Sequence, residues 1–553
     1  MNFNNNWTFR KEGDSAVPVC LPHDAMILET RDGSCRNGVN SGYFPGGKYV
    51  YEKTLEVAPE DIGKSIVIHF EGVYQNCSVV LNGKEVGSHK YGYTAFDVDI
   101  SDVVRSGSNT LTVRVDNSLE PNCRWYSGSG IYRPVQLLIR DRVHIETVHI
   151  ETLSYDPAAI KVDVTTTAHT PVTVELYDGG VQIASGKPGV IPLPGAKLWS
   201  AENPRLYTCV VKTEKDERRI SFGVRKLEWS AKAGLLVNGQ RVLLRGGCIH
   251  HDHGVLGACE FPDAEERRIR ILKENGFNAL RIAHNPASQI TLDICDKLGM
   301  YVMDEFCDNW LVHKNPYDYA DQEFRQWWEQ DLTAMVIKNY NHPSVIMNSI
   351  GNEISELAIP EGQELCRKMS ELVRALDPDK AVTLGINMML CSMAAKGGGI
   401  YGDKKNGKEN KNGSQTMDNL PTSAFFNLLM NKMGGIIEGA AAKPAADKAT
   451  EVAISYLDIG GYNYAASRYE MDGKLHPDRV IVGSETLPKN LYKNWKLVTK
   501  YPYVIGDYMW TGWDYLGEAG LGTVRYKSFK KPGEDSPIIS GGCGVIDICG
   551  KLR

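Results

Sequence analysis

Eight runs of β-type residues alternate with helical patterns from about residue 229 to the end of this 553-residue chain, and few folds accept that rhythm. The runs are RVLLRGGCI (241–249), NALRIAH (278–284), MYVMDEF (300–306), SVIMNSIGN (344–352), AVTLGIN (381–387), LDIGGYNY (457–464), RVIVGSE (479–485) and YVIGDYMW (503–510). Most are apolar without strict alternation, the mark of strands buried on both faces of a parallel sheet. The stretches AEERRIRILKENG, PASQITLDICDKLG and EFRQWWEQDLTAMVIKNY between them have helical spacing. Pro262-Asp263 opens the first of these, and Gly276 and Gly299 stand where helix C-caps belong. Eight strand–helix repeats predict a (β/α)8 TIM barrel over residues 229–553, with any site at the C-terminal ends of the strands.

Upstream of residue 229 the pattern is all-β. VYEKTLEV (50–57), SIVIHFEGV (65–73), CSVVLNGKEVG (77–87) and NTLTVRVDN (109–117) are short strands separated by turn signals such as Asn82-Gly83 and Ser106-Gly107. They predict a β-sandwich over residues 1–140 and a smaller, seven-strand-type sandwich over 141–228. Within the barrel, residues 388–450 are far too long for an ordinary connection and are expected to form a rim or lid over its mouth. The chain also stops at Arg553, where the helix after strand eight should run. A barrel lacking that helix would lay bare its first and last strands, which suggests truncation at the last helix and a native chain that continues.

Candidate site residues gather at the strand ends. Strand four, VIMNSIGNE, delivers Asn352 and Glu353, and strand seven delivers Ser484 and Glu485. In an eight-stranded barrel these strands face each other. Two carboxyl groups about 5 Å apart are what a retaining glycosidase needs, one to protonate the leaving oxygen and one to attack C1. Around them fall His250, His284, Asp304-Glu305, Asp308, Asn463, Tyr464, Trp510 and Trp513, residue types that bind hydroxyls or stack on a pyranose. The pattern points to an exo-acting glycosidase. The run His250-His251-Asp252-His253 is not expected to hold a metal, since neighbours on an extended segment point opposite ways. The glycines from 397 to 402 fit GxGxxG but close no strand-to-helix turn, so no dinucleotide site is expected. Lys404, Lys405, Lys408 and Lys411 read as a solvated loop face.

Net charge of -6 and pI near 6.2 argue against nucleic acid or an acidic membrane as partner. The opening MNFNNNWTFR has neither a basic nor an apolar leader region, and no apolar run approaches the roughly 20 residues of a span. Thirteen cysteines without CxxC pairs read as reduced, buried thiols, and a cytoplasmic protein is expected.

The motifs RWYSGSGIYRPV (124–135), IHHDHG (249–254), RIAHNP (281–286), YVMDEFCDNW (301–310), NHPSVIMNSIGNE (341–353), GYNY (461–464), GSET (483–486) and MWTGWDYLGE (509–518) resemble glycoside hydrolase family 2, the family of β-galactosidases, β-glucuronidases and β-mannosidases. The resemblance implies a jelly-roll sugar-binding domain, an immunoglobulin-like domain and a catalytic barrel. It further implies Glu353 as acid/base, Glu485 as nucleophile, and Asn352 on the sugar 2-hydroxyl. Tyr464 would hydrogen-bond the nucleophile, His250 and His284 would contact substrate, and Trp513 would form an aromatic floor. Asn122 stands where larger β-galactosidases have an aspartate reaching over from the first domain. No cofactor is implied; structural Mg or Na is known in larger relatives, but no ligand set for either is traceable here. A homo-oligomer and a carbohydrate substrate are expected. Family β-glucuronidases carry an Asn-x-Lys pair near the barrel's end, where this chain has Gly541-Gly542-Cys543-Gly544, so the expected activity is β-galactosidase, with β-glucuronidase as alternative. An alternative of another class is a non-catalytic carbohydrate-binding protein.

Overall fold

A computed structural model describes residues 2–398, 438–522 and 538–553. The first unit is a two-sheet sandwich. A six-stranded antiparallel sheet runs in the order Val17–Val19, Trp7–Lys11, Lys48–Val57, Gly107–Asp116, Cys77–Leu81, Lys84–His89. Opposite it lie Phe96–Asp99, Ser65–Phe70 and Val135–Arg140. Inward-facing Tyr51, Leu55, Ile66, Ile68, Val79 and Val113 fill the core between them, as period-two strands require. Asn82 (φ 51°) and Gly83 (φ 83°) make the tight turn that their sequence signals.

The second unit is a seven-stranded sandwich. Its sheets are Ile145–Tyr155, Ala158–Thr166, Gly189–Pro192 and Val181–Gly186, Thr173–Asp178, Tyr207–Lys212, Glu217–Phe222. Ile145, Ile160, Val174 and Phe222 lie in its core. A small sheet of Leu227–Ser230, Gly234–Val237 and Gln240–Val242 follows and leads into the barrel, where Gly234 (φ +76°) meets the Pro502 carbonyl just ahead of strand eight.

The barrel is closed. Its strands, in order, are Leu244–Ile249, Ala279–Ile282, Tyr301–Glu305, Val345–Asn352, Ala381–Ile386, Gly460–Asn463, Ile481–Thr486 and Val504–Met509. They pair in parallel all the way round, strand one with strand eight included. Every run expected from the sequence is one of them. Pro262 starts the helix Pro262–Glu274, and Gly299 caps the helix Gln289–Leu298 in left-handed geometry. Among the described residues no helix is long and apolar enough to cross a membrane.

Strands one and eight are buried where they meet. After strand eight the chain forms a hairpin of Tyr515–Leu516 with Ser540–Gly541 and returns so that Ile546 bridges Trp513. Met509, Trp513 and Ile546 then pack with Ile249, Ile269 and Leu272 and seal the seam. Of the expected lid, the helices Met388–Ala394 and Pro444–Ser455 flank a segment, 399–437, that lies outside the described residues together with Lys404, Lys405, Lys408 and Lys411.

Asp507 on strand eight offers a probe of this packing. It is buried between strand seven and the helix Ser467–Leu475, where the Tyr469 hydroxyl donates to it at 3.4 Å, and burial pushes its carboxyl up to about 7. A carboxyl whose folded pKa is raised stabilises the fold only below its unfolded pKa, and that contribution fades as pH climbs to the folded value. At about 1.4 kcal/mol per tenfold change in proton affinity, the loss is on the order of 4 kcal/mol. Asp507→Asn is therefore expected to melt increasingly above the wild type as pH rises from about 4 to 7, with the gap level beyond. A pH-independent gap in thermal melts would contradict this.

Candidate active site

Glu353 and Glu485 face one cavity at the C-terminal mouth of the barrel. Strand four carries the first: after Asn352 the backbone turns left-handed at Glu353 (φ 48°), which swings the side chain over the mouth while its N–H still bonds the Gly385 carbonyl at 2.7 Å. Its Oε1 accepts from Asn387 Nδ2 at 2.9 Å and from Asn463 Nδ2 at 3.3 Å. Strand seven carries the second. Glu485 Oε1 accepts from Arg281 Nη1 at 2.7 Å, and the Tyr464 hydroxyl donates to the same carboxylate. Tyr464, also left-handed (φ 54°), bonds the Glu485 carbonyl through its own N–H at 2.8 Å.

Arg281, from strand two, is the hub. Fully buried, it donates from Nε and Nη2 to Glu305 Oε2 at 3.0 and 2.7 Å, from Nη2 to Asn352 Oδ1 at 2.9 Å, and from Nη1 to Glu485. A planar guanidinium serves several acceptors at fixed angles, which an ammonium does not. Gly385 keeps this space clear: a Cβ there would stand 2.8 Å from Arg281 Nη2 and 3.0 Å from Asn352 Oδ1.

The two carboxylates thus have different surroundings. Burial pushes the Glu485 carboxyl up, and the charge of Glu353 adds to this, while Arg281 and the Tyr464 hydroxyl pull it down. Glu353 is held by neutral amides, and among the described residues no cation pairs with it. His284 Nδ1 donates to Glu305 Oε1 at 2.7 Å, and the ring stacks on Trp510 at 5.1 Å and 6°. Burial and the nearby Arg281 hold His284 well below the usual histidine range, so it is neutral and turns Nε2 toward Glu485, 3.9 Å away. Glu305 is pushed up by burial to about 7 despite Arg281.

The cavity measures about 310 Å³, at the small end for ligand sites. His284, Glu353, Tyr464, Glu485 and Trp510 line it as expected. Asn352, Asn463 and Asp308 stand behind the wall. Asn352 Oδ1 is taken by Arg281 and Asn463, and its Nδ2 donates to Asp308 at 3.0 Å. His250 is packed among Trp125, Trp510 and Tyr515, with neither ring nitrogen hydrogen-bonded among the described residues. Its neighbours in sequence diverge, His251 to the Ser127 carbonyl and His253 to Glu265, so this run forms no cluster.

Two expected contacts do not line this cavity. Trp513 packs into the apolar seam between strand one and the helix Pro262–Glu274, so the indole on the cavity wall is Trp510. Asn122, bonded within the first unit to Asn37 and Asn117, lines an adjoining cavity together with Arg124, His284 and Asp308. From the same unit Arg124 lines both cavities and pairs with Asp308 at 2.9 Å. Sequence reasoning missed Arg281, Arg124 and Asn387. Arg281 sits inside a strand rather than at its end, and the signal available was one cation in a run otherwise apolar, ALRI. Among the described residues two groups could share an ion by distance, Asp293/Asp296/His342 and Asp447/Asp472/His476. Neither lines the cavity, and Arg468 already bridges Asp447 and Asp472 in the second.

Comparisons with known proteins agree on one family. The profile described as "Glycosyl hydrolases family 2, sugar binding domain" matches residues 42–141, "Glycosyl hydrolases family 2" matches 143–225, and "Glycosyl hydrolases family 2, TIM barrel domain" matches 231–396. The crystal structure of a glycosyl hydrolase family 2 member from Bacteroides cellulosilyticus superposes with TM-score 0.84 at 34% identity, over 100% of this chain and 69% of that one. "Beta-galactosidase BoGH2A" of Bacteroides ovatus is 32% identical over 90% of this chain and 64% of its own length. A "Beta-glucuronidase" of Bacteroides fragilis is 28% identical over 69% of this chain and 60% of its own. The chain therefore spans less than two thirds of these curated relatives.

Proposed function

Because the chain belongs to glycoside hydrolase family 2, we propose that it is a retaining exo-β-glycosidase that removes terminal non-reducing β-D-galactosyl residues. The observation that carries this reading is the pair of carboxylates from strands four and seven on one cavity wall, one against a guanidinium and one among neutral amides. Glu353 protonates the glycosidic oxygen as the bond breaks. Glu485, oriented by Arg281 and Tyr464, attacks the anomeric carbon to give a glycosyl-enzyme. Glu353 then takes a proton from the water that hydrolyses it, so configuration is retained. Neutral His284 offers Nε2 as an acceptor for a sugar hydroxyl. Trp510 and, from the first unit, Arg124 line the cavity, whose volume of about 310 Å³ suits a single terminal sugar.

The preference for galactoside rests on charge. A uronic acid needs a fixed cation. Gly542 and Cys543 line the cavity where family glucuronidases are expected to read the sugar carboxylate, and Arg124 is already paired to Asp308. One observation favours glucuronide as a second reading: exposed Lys489 stands on the rim. Comparing kcat/KM on 4-nitrophenyl β-galactoside and β-glucuronide is expected to favour the galactoside by at least about tenfold, with the β-anomer released first. Preference for the glucuronide would overturn the sugar assignment, and release of the α-anomer would overturn the mechanism.

A further inference from the structure

The two oxygens of the Glu353 carboxyl are not equivalent. Oε1 takes two amide N–H groups, from Asn387 Nδ2 at 2.9 Å and from Asn463 Nδ2 at 3.3 Å. A carboxyl oxygen has two lone pairs, so this pair of donors fills it.

What decides that each amide turns its nitrogen to Glu353 is the partner of its oxygen. Asn387 follows strand five, and its Oδ1 accepts from Met389 and Leu390 N–H at 3.2 and 3.3 Å, capping the helix Met388–Ala394. Reversing the amide would aim Nδ2 at two backbone N–H groups and lose both cap bonds. At 1% exposure the side chain has no water to turn to instead. Asn463 is fixed in the same way, its Oδ1 accepting from the Ser484 hydroxyl at 2.7 Å while the other N–H of Nδ2 goes to Asn352 Oδ1 at 3.0 Å. The backbone holds the cap and the carboxyl together. Glu353 N–H donates to the Gly385 carbonyl on strand five, and Cys391 Sγ in the capped helix donates to the Ile354 carbonyl at 3.5 Å.

We propose that Asn387 is a positioning residue that assigns the acid proton of Glu353 to Oε2. The inference rests on the reading of Glu353 as acid/base given above and goes beyond it, to the atom that carries the proton. A proton on Oε1 would displace one of the two donors, and an amide nitrogen has no lone pair to accept it in return, so a buried donor would be stranded. A proton on Oε2 disturbs neither bond. In the first step that proton passes from Oε2 to the glycosidic oxygen, which keeps the electron pair of the breaking C1–O bond while Glu485 bonds to C1. In the second step Oε2 takes a proton from the water that attacks C1, and Glu485 leaves with its electron pair. Oε1 keeps both donors throughout, and they bind the ionised carboxylate more tightly than the acid. Asn387 thus steadies the carboxyl most when its proton has left.

The test is Asn387→Ser, assayed on the phenyl and 2,4-dinitrophenyl β-glycosides of whichever sugar the wild type prefers. Serine caps a helix as well as asparagine does but lacks the N–H arm that reaches Glu353. The phenyl leaving group needs the proton and the dinitrophenyl group does not, so the dinitrophenyl-to-phenyl ratio of kcat/KM is expected to rise at least about tenfold over the wild type. Asn387→Asp keeps the cap and the size, offers no N–H and sets a second acceptor against Oε1, so it is expected to raise the ratio further. It also carries the test should the serine variant fail to fold. Equal losses on the two aglycones would mean a merely structural role and would overturn the inference. Glu353→Gln on the same substrates separates this from the acid/base reading. If that variant shows no dependence on the leaving group, Glu353 is not the acid and both fall; if it does and Asn387→Ser does not, only the role of Asn387 falls.

Discussion

Glu485→Gln is expected to lower kcat/KM on every aryl glycoside by about 10⁴-fold or more, the scale set by removing an enzyme's nucleophile. The amide still accepts from Arg281 and Tyr464, so the fold should be kept and thermal melts should stay near the wild type. Glu353→Gln is expected to behave differently. Loss of a general acid costs about 10²–10⁴-fold and depends on how much help the leaving group needs, so the deficit should shrink on dinitrophenyl substrates. Azide separates the roles stereochemically. With Glu353→Ala, azide attacks the glycosyl-enzyme and gives the β-glycosyl azide; with Glu485→Ala it replaces the nucleophile itself and gives the α-glycosyl azide. Swapped products would exchange the two roles. Unchanged turnover in Glu485→Gln would remove Glu485 as the nucleophile, and a wild type without turnover on any aryl glycoside would leave the chain a carbohydrate-binding protein on a barrel scaffold.

The parts of this site legible in the sequence are those at strand ends. Apolar runs that break off into Asn352-Glu353 or Ser484-Glu485 announce both the strand and the face on which it delivers its polar groups, because the period of a barrel strand is set by the backbone. What the sequence hides is distance across the chain. Trp510 and Trp513 are three residues apart and chemically alike, and only the return of Ile546 to the seam decides that Trp513 is buried there while Trp510 faces the cavity. Asn122 and Arg124 pose the same problem: Asn122, held by Asn37 and Asn117, lines only the adjoining cavity, while Arg124 reaches the catalytic one as well. The positive φ of Glu353, Tyr464 and Glu518 has no sequence signal, since these residue types seldom adopt it. The non-helical return segment that covers strands one and eight is hidden for a related reason, since its contacts join residues far apart in the chain.

Arg281 is where the fold and the chemistry depend on one group, and Arg281→Met is expected to damage both. In the wild type the guanidinium compensates two buried carboxylates, Glu305 and Glu485, at 2.7 Å each. Removing one partner of a buried ion pair costs about 3–5 kcal/mol, because the other charge stays behind uncompensated. The sign with pH follows from Glu305. Burial already raises it to about 7 with the guanidinium present, and without Arg281 it must rise further. A raised carboxyl favours the fold below its unfolded pKa and loses that advantage as pH rises toward the folded value. The variant's deficit is therefore expected to be smallest near pH 5 and to widen above about 7, where the wild type ionises Glu305 against Arg281 and the variant has no cation to offer. Arg281→Lys should rescue part of the stability and little of the activity, since one ammonium does not serve Glu305, Asn352 and Glu485 together. The double variant Arg281→Met/Glu305→Gln should regain stability by removing the stranded charge, yet remain inactive because Glu485 has lost the donor that aims it. Recovery of turnover in that double variant would show that the guanidinium serves packing alone, and a deficit independent of pH would remove Glu305 from the account.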